Sequence, residues 1–245
     1  TALRSSSWKS RSIRSSSVTY RRVGAESVRL YAYYRSSAAY RVRIALALKG
    51  LSAEIRPVDI AAGEQAGDAF RGRNPQGLVP VLETDDGAYL SQSVAILEWL
   101  EETRPKPALY PAGALDRARY RGLCQHIACD IHPLNNLRVL RYLGGPLGQG
   151  KEAIDAWYAH WITLGFDALE AEVASWSGKF SLGDDPGMFE IMLVPQLYNA
   201  RRFAVATDAF PALVALDARC ALTDEFRSAH PHRQPDTPEE LREAS

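Results

Sequence analysis

Hydrophobic and polar positions divide the chain into a first part with strands and a second part with helices only. Residues 28–34 (VRLYAYY) predict a strand, and residues 37–49 predict a helix that stops at Gly50. AEIRPVDI predicts a second strand and EQAGDAFRGR a weak helix. NPQGLVPVLETDDGAYLSQS predicts a loop and two short strands around an Asp-Gly turn, and residues 92–102 predict a helix. This order predicts a compact α/β domain with a four-stranded mixed sheet.

The proline-rich stretch TRPKPALYPAGA reads as a linker, and no good strand follows it. Helical patterns cover about 115–143, 151–176, 188–203 and 212–226. We therefore predict four regions. They are an extension of residues 1–27, an α/β domain of residues 28–103, a linker of residues 104–114, and an all-helical domain of residues 115–245 with a polar tail.

Composition and charge narrow the class of protein. The chain of 245 residues is 46% hydrophobic and 24% charged, which is typical of a globular protein. It has no apolar run near the roughly 20 residues that a membrane helix needs. The net charge is zero, so bulk charge gives no argument for nucleic acid. Six basic residues and one acidic residue fall within the serine-rich residues 1–27, which predicts disorder and also resembles a transit peptide.

Cysteine and histidine spacing argues against a metal site. The three cysteines have no CxxC spacing and the five histidines form no HExxH motif. We predict no metal, no disulfide framework and a reducing, cytosol-like compartment.

The adjacent serines Ser36 and Ser37 lie where the first strand gives way to the first helix. A serine at this place can simply cap the helix. It can also bind an anion, since a helix N-terminus favours negative charge. A thiolate suits such a site: the helix end supplies about 0.3–1 kcal/mol, and a hydrogen bond to a charged group adds about 1.5–3 kcal/mol. Together they account for the roughly 2.7 kcal/mol that lowers a thiol pKa by about two units.

Five separated segments resemble the zeta class of glutathione transferases, the maleylacetoacetate isomerase family, over about residues 28–242. They are YYRSSAAYRVRIALALKG, NPQGLVPVLETDDGAYLSQSVAILEWLEE, DIHPLNNLRVL, LVPQLYNARRF and HPHRQPDTPEELR. The resemblance implies a thioredoxin-like N-terminal domain, an all-α C-terminal domain, and glutathione as cofactor. It also implies a cytoplasmic homodimer that acts on a small dicarboxylate, with no membrane or nucleic-acid partner.

The same resemblance implies roles for individual residues. Ser36 would contact the glutathione sulfur, with Ser37 and Arg41 beside it as catalytic residues. Arg41 and Arg202 would hold substrate carboxylates. A cis Pro80 would turn the backbone of Val79 toward the cysteinyl part of glutathione. The other cofactor-binding residues implied are Gln65, Gln92, Ser93, His132 and Asn136.

The chain departs from the family pattern at three places. Ala38 stands where the family has a cysteine, and His132 where it commonly has glutamine. A histidine there is expected to vary in charge near neutral pH. Gly187 and Glu190 replace the serine or threonine and the aspartate of a capping box, which predicts a slightly weaker helix start and an intact fold.

The resemblance implies a glutathione-dependent cis–trans isomerase of a maleyl diacid, converting maleylacetoacetate to fumarylacetoacetate in aromatic amino acid catabolism. The sequence does not decide between maleylacetoacetate and maleylpyruvate, which differ in the group beyond the double bond. Two alternatives stay open at this point. One is a glutathione transferase that conjugates or dehalogenates α-haloacids, and the other is a non-catalytic glutathione-binding module.

Overall fold

A computed structural model describes residues 28–242 of the protein. The predicted disordered extension of residues 1–27 lies outside the described residues. The first part is a four-stranded sheet of order β2-β1-β3-β4. Strands β1 and β2 are parallel, whereas β3 is antiparallel to both β1 and β4. The four strands are β1 (Val28–Ala32), β2 (Ala53–Pro57), β3 (Val81–Glu83) and β4 (Tyr89–Ser91).

Strand β1 shows why the sequence folds this way. The first, third and fifth residues of the strand, Val28, Leu30 and Ala32, are buried in the main core. Arg29, between the first two, is exposed. Tyr31 points to the opposite face, where it packs with Phe70 in a small second cluster. The predicted mixed sheet and thioredoxin-like fold class are thereby confirmed.

Three helices accompany the sheet: α1 (Ser37–Leu48), α2 (Asp68–Arg71) and α3 (Ser93–Thr103). Helix α1 is the centre of the molecule, because it packs against α3 and also against two helices of the second part, α7 (Met188–Arg202) and α9 (Asp224–Ala229). The predicted stop is observed: the helix ends at Leu48, and Gly50 adopts a φ of 65°. Anything placed at the start of α1 is therefore held by both parts of the fold.

The second part is helical, as predicted, but its helices are shorter than the pattern indicated. The single helix expected over 115–143 is divided into α4 (Ala114–Gln125), a π-helical turn, a 3₁₀ turn and α5 (Leu137–Gly144). Pro133 explains the interruption, since it has no N–H to donate and disfavours helix at the residue before it. The remaining helices are α6 (Lys151–Val173), α7, α8 (Pro211–Cys220) and α9.

Candidate active site

The loop between β1 and α1 presents Ser36. This residue is the N-cap of α1, and its Oγ accepts a hydrogen bond of 3.2 Å from the N–H of Ala39. Its own N–H donates to the carbonyl of Tyr33 at 2.9 Å. Because the cap uses a lone pair of the hydroxyl, the O–H proton stays available to donate to an anion at the helix N-terminus. In this geometry Ser36 can cap the helix and bind an anion at the same time.

Two charged side chains, Asp236 and Arg43, form hydrogen bonds with the main chain of the same loop. The N–H of Tyr34 donates to Oδ2 of Asp236 at 2.8 Å, and the carbonyl of Tyr34 accepts from Nη2 of Arg43 at 3.1 Å. Nε of Arg43 donates in turn to the carbonyl of Ala229 at 2.9 Å. Both polar main-chain atoms of Tyr34 are therefore fixed, two residues before Ser36. The QPDT part of the polar tail is thus packed against the serine loop.

Ser37 and His132 form a polar pair across the two parts of the fold. Oγ of Ser37 lies 3.2 Å from Nδ1 of His132, and Ser37 is buried. Burial, with further contributions from Arg41 and Arg138, lowers the pKa of His132 to about 3. The expectation of a charge that varies near neutral pH is therefore wrong. The ring is neutral at pH 7 because it is desolvated beside two guanidinium groups.

The segment before β3 offers an unpaired main chain. The Val79–Pro80 peptide bond is cis, as the resemblance implied. Among the described residues, neither the N–H nor the C=O of Val79 has a hydrogen-bond partner. Oε1 of Gln65 is also buried without a partner. An extended peptide can pair with such a main chain in the manner of an added strand.

The N-terminus of α3 opens onto the same region. Gln92 precedes the helix with a φ of 69°, and its side chain makes no capping hydrogen bond. Instead its Nε2 donates to Oε1 of Gln76 at 2.6 Å. Ser93 is the first helical residue and is buried. The first N–H groups of α3 therefore form a second place where an anion is favoured.

Arg41 lies beneath that helix end. It is 1% exposed, and its Nη1 donates to Oγ of Ser93 at 3.4 Å. It lines a pocket of 430 Å³ together with Ser93, Gln92 and Val79. We expected Arg41 to reach a substrate carboxylate, but the described lining of the larger cavity does not include it.

The larger cavity has a volume of 740 Å³ and a cationic lining. Ser36, Ser37 and Gln65 line one side, and His132, Asn136 and Arg202 line the other. The guanidinium of Arg202 also lies 4.8 Å from the ring centre of Phe203. The described lining has no aspartate or glutamate, but it has five arginines: Arg35, Arg71, Arg138, Arg141 and Arg202. Such a cavity favours a substrate with more than one negative charge.

Sequence reasoning assigned a role to Arg202 but to none of the other four arginines of this lining. Arg35 adjoins the serine pair, so its position in the sequence was an available signal. Arg138 follows Asn136, the N-cap of α5, whose Oδ1 accepts from the N–H of Arg138 at 3.1 Å. Its place in the cavity depends on the break before α5, which the helical pattern did not predict.

Residues 28–242 lack two further kinds of feature. No group of three histidine, cysteine, aspartate or glutamate side chains there is arranged to hold a metal ion. Within the same residues, no helix combines the length and apolar character needed to cross a membrane.

Comparisons with known proteins agree with this site. A family model described as the N-terminal domain of glutathione S-transferase matches residues 35–103. A maleylpyruvate isomerase of Ralstonia sp is 47% identical over 212 residues, which cover 86% of this chain and 100% of the relative. The relative's coverage shows that the similarity extends well beyond the N-terminal domain.

Solved structures give the same result. The holo structure of a maleylpyruvate isomerase, described as a bacterial zeta-class glutathione S-transferase, has a TM-score of 0.83 and 47% identity, covering 86% of this chain and 100% of that chain. A maleylacetoacetate isomerase from Anaeromyxobacter dehalogenans 2CP-1 with glutathione in its active site has a TM-score of 0.78 and 46% identity, covering 87% and 99%. The chain therefore belongs to the zeta class of glutathione transferases, the family of the maleylacetoacetate and maleylpyruvate isomerases.

Proposed function

We propose that the protein is a glutathione-dependent cis–trans isomerase that converts a maleyl diacid, maleylacetoacetate in the first place, to its fumaryl isomer. The observation that carries the proposal is the cavity in which Ser36 and Ser37 face an arginine-rich lining, with no carboxylate among its described residues. Names of the relatives support the same activity. A dianionic substrate suits this cavity better than a neutral one.

The residues present fit glutathione. The unpaired main chain of Val79, the buried Oε1 of Gln65 and the uncapped start of α3 are orphaned polar groups that a peptide with a terminal carboxylate would satisfy. Val79 and Pro80 would bind its cysteinyl part, Gln92 and Ser93 its γ-glutamyl end, and Gln65, His132 and Asn136 would contact the rest. When bound, glutathione supplies a thiolate that adds reversibly to the double bond and lets it rotate.

The chain's own residues prepare that chemistry. Ser36 donates its hydroxyl proton toward the sulfur while its oxygen stays bonded to Ala39, and the N-terminus of α1 adds positive potential at the same point. Ser37, fixed by its contact with His132, supports the loop from the other side. A neutral His132 supplies no imidazolium proton to the site.

Arg202 is proposed to hold a substrate carboxylate, with Arg35 and Arg138 as further cations of the same lining. A guanidinium binds a carboxylate through two parallel hydrogen bonds, which fixes the orientation of the diacid as well as its charge. The double bond of the substrate would then lie between these arginines and Ser36.

We also propose the division into an α/β domain of residues 28–103 and a helical domain of residues 115–245 joined by a linker. A homodimer and a cytoplasmic location are proposals that rest on the resemblance. Light scattering of the purified protein tests the first: a molar mass twice that of one chain supports it, and a mass equal to one chain contradicts it.

An absorbance assay with maleylacetoacetate, and separately with maleylpyruvate, tests the activity. We expect conversion only with glutathione, and a fall in kcat/KM of about 10- to 100-fold for Ser36→Ala, because a hydrogen bond to a charged sulfur is lost. Ser175→Ala, at an exposed serine that lines neither pocket, is the matched control. Conversion that persists in Ser36→Ala at the control's rate contradicts the role of Ser36.

A parallel assay with an α-haloacid separates the alternatives. Halide release with loss of free thiol, and no isomerisation, would replace the proposal with a transferase. Glutathione binding without either reaction would leave a binding module.

A further inference from the structure

Arg41 is a buried cation without a counter-ion. Its side chain is 1% exposed, and its Nε and Nη2 have no hydrogen-bond partner. Among the described residues, no carboxylate forms a salt bridge with it or contributes to its pKa. Burial lowers the pKa of Arg41 to about 10, so the guanidinium is still charged at neutral pH.

Such an arrangement is unfavourable in the protein alone. A buried charge is normally paired, because desolvation of an unpaired one is expensive. Within residues 28–242, the one side-chain hydrogen bond of Arg41 runs from Nη1 to Oγ of Ser93, the first residue of α3. This contact orients the serine: its oxygen accepts from Arg41, so its O–H proton must point elsewhere.

We propose that Arg41 is a positioning residue for the cofactor: through Ser93 it adds positive potential at the N-terminus of α3 and directs the serine hydroxyl toward the γ-glutamyl carboxylate of glutathione. This inference rests on the proposed function. It replaces the expectation that Arg41 holds a carboxylate of the substrate. The bound carboxylate is then the counter-ion that the fold does not provide.

The position of Arg41 separates it from the substrate side. It borders the smaller pocket with Gln92 and Ser93, whereas Arg202 borders the larger cavity. Its Nε and Nη2 are buried and its Nη1 contacts Ser93, so the effect passes through Ser93 and through the electrostatic potential. The two arginines therefore have different expected partners, which a binding experiment can separate.

The experiment compares Arg41→Met and Arg41→Lys with the control Arg202→Met in the full chain. Calorimetric titration measures the Kd for glutathione and for its analogue without the α-carboxylate, 4-aminobutyryl-cysteinyl-glycine. Thermal unfolding without ligand gives the Tm of each variant. Ser93→Ala, alone and combined with Arg41→Met, tests whether Arg41 acts through the serine.

We expect Arg41→Met to bind glutathione about tenfold more weakly, since support for a charged contact is lost. Its affinity for the decarboxylated analogue should be unchanged, and its Tm without ligand unchanged or higher, because an uncompensated charge has been removed. Arg41→Lys should retain part of the affinity. Arg202→Met should bind both ligands like the wild type. Arg41→Met should add little to the loss already caused by Ser93→Ala.

Three results would overturn the inference. The first is an Arg41→Met protein that binds glutathione as tightly as the wild type. The second is an equal loss of affinity for glutathione and its analogue. The third is an Arg41→Met chain that unfolds or fails to fold without ligand, which would make Arg41 a structural residue. Failure of the wild type to bind glutathione at all would instead reject the proposed function, so the two failures are distinguishable.

Discussion

At the scale of single residues, Tyr120 caps helix α7 in place of residue 187. The hydroxyl of Tyr120 accepts a hydrogen bond of 3.1 Å from the N–H of Phe189, the second helical residue. Glu190 bonds back to the N–H of Gly187 at 2.8 Å, which completes the other half of the box. The family's hydroxyl at position 187 is thus replaced by one from α4. The sequence departure is explained by a residue 67 positions away, which no local pattern could reveal.

Restoring the serine should harm this protein. A Cβ at Gly187 would lie 2.4 Å from the hydroxyl oxygen of Tyr120 and 2.7 Å from a methyl of Leu182. We predict that Gly187→Ser lowers the free energy of unfolding by about 1–3 kcal/mol through overpacking. Urea denaturation measures it.

The matched variant is Tyr120→Phe, which loses the cap together with the hydrogen bond between Tyr120 and Ser181 and should cost about 1–2 kcal/mol. In the double variant the clash with the Tyr120 hydroxyl is gone while the contact with Leu182 remains, and the serine hydroxyl can replace the lost cap, so Gly187→Ser should be less destabilising there. Equal effects of Gly187→Ser in both backgrounds would contradict the account.

The pKa of His132 makes stability depend on pH. The unfolded chain takes up a proton near the ordinary histidine pKa of about 6.5, whereas folded His132 does so only near pH 3. Between these values the unfolded state binds more protons, so stability falls as pH falls.

We predict that wild type loses about 1.4 kcal/mol per pH unit below pH 6.5 relative to His132→Gln, whose side chain does not titrate. Urea denaturation at pH 7.5 and pH 5 checks this, with the same change at the exposed His160 as control. Parallel stability curves for wild type and His132→Gln would show that the folded state protonates His132 normally.

At the scale of elements, patterns predicted the strands and the start of α1 well because their signals are local. Val28 to Ala32 alternates, and Ser36 and Gly50 bound α1 by their own chemistry. The division of the segment from Ala114 to Gly144 was not predicted. Its apolar positions continue through the break, and only Pro133 signalled that the helix ends.

The tail that follows α9 stabilises the loop that carries Ser36, because Asp236 accepts a hydrogen bond from the N–H of Tyr34. We predict that Asp236→Ala frees the N–H of Tyr34, lowers stability by about 1–3 kcal/mol and raises the thiol pKa of bound glutathione. Thiolate absorbance in the ultraviolet as a function of pH measures the second effect. A merely structural role for the tail would lower stability and leave that thiol pKa unchanged.

Asp224→Ala is the control for this change. Asp224 is exposed and pairs with Arg227 within α9, so its loss should leave both stability and the thiol pKa near wild-type values.

At the scale of the whole molecule, the fold class followed from the order of elements and from five separated motifs. The cavity did not, because it joins side chains from distant segments. Arg35 and Arg202 are 167 residues apart in sequence yet line the same space. Net charge was also uninformative: a chain with zero net charge concentrates five arginines around one cavity, whose described lining holds no carboxylate.

This charge distribution predicts salt sensitivity. The KM for the diacid should rise with sodium chloride as the attraction of the arginines is screened, while kcat changes little. Arg202→Met should raise KM about 10- to 100-fold and weaken the salt dependence. Steady-state kinetics over a range of salt concentrations measures both. A KM that is independent of salt in wild type would show that the arginines do not attract the substrate.

The most direct test of the account is to incubate the protein with maleylacetoacetate and glutathione far below the substrate concentration, and to follow the product by NMR. The account predicts complete conversion to the trans isomer with free thiol unchanged at the end, because glutathione is a cofactor and is regenerated. Conversion that stops when glutathione is exhausted, with a thioether as product, would contradict it and identify a transferase.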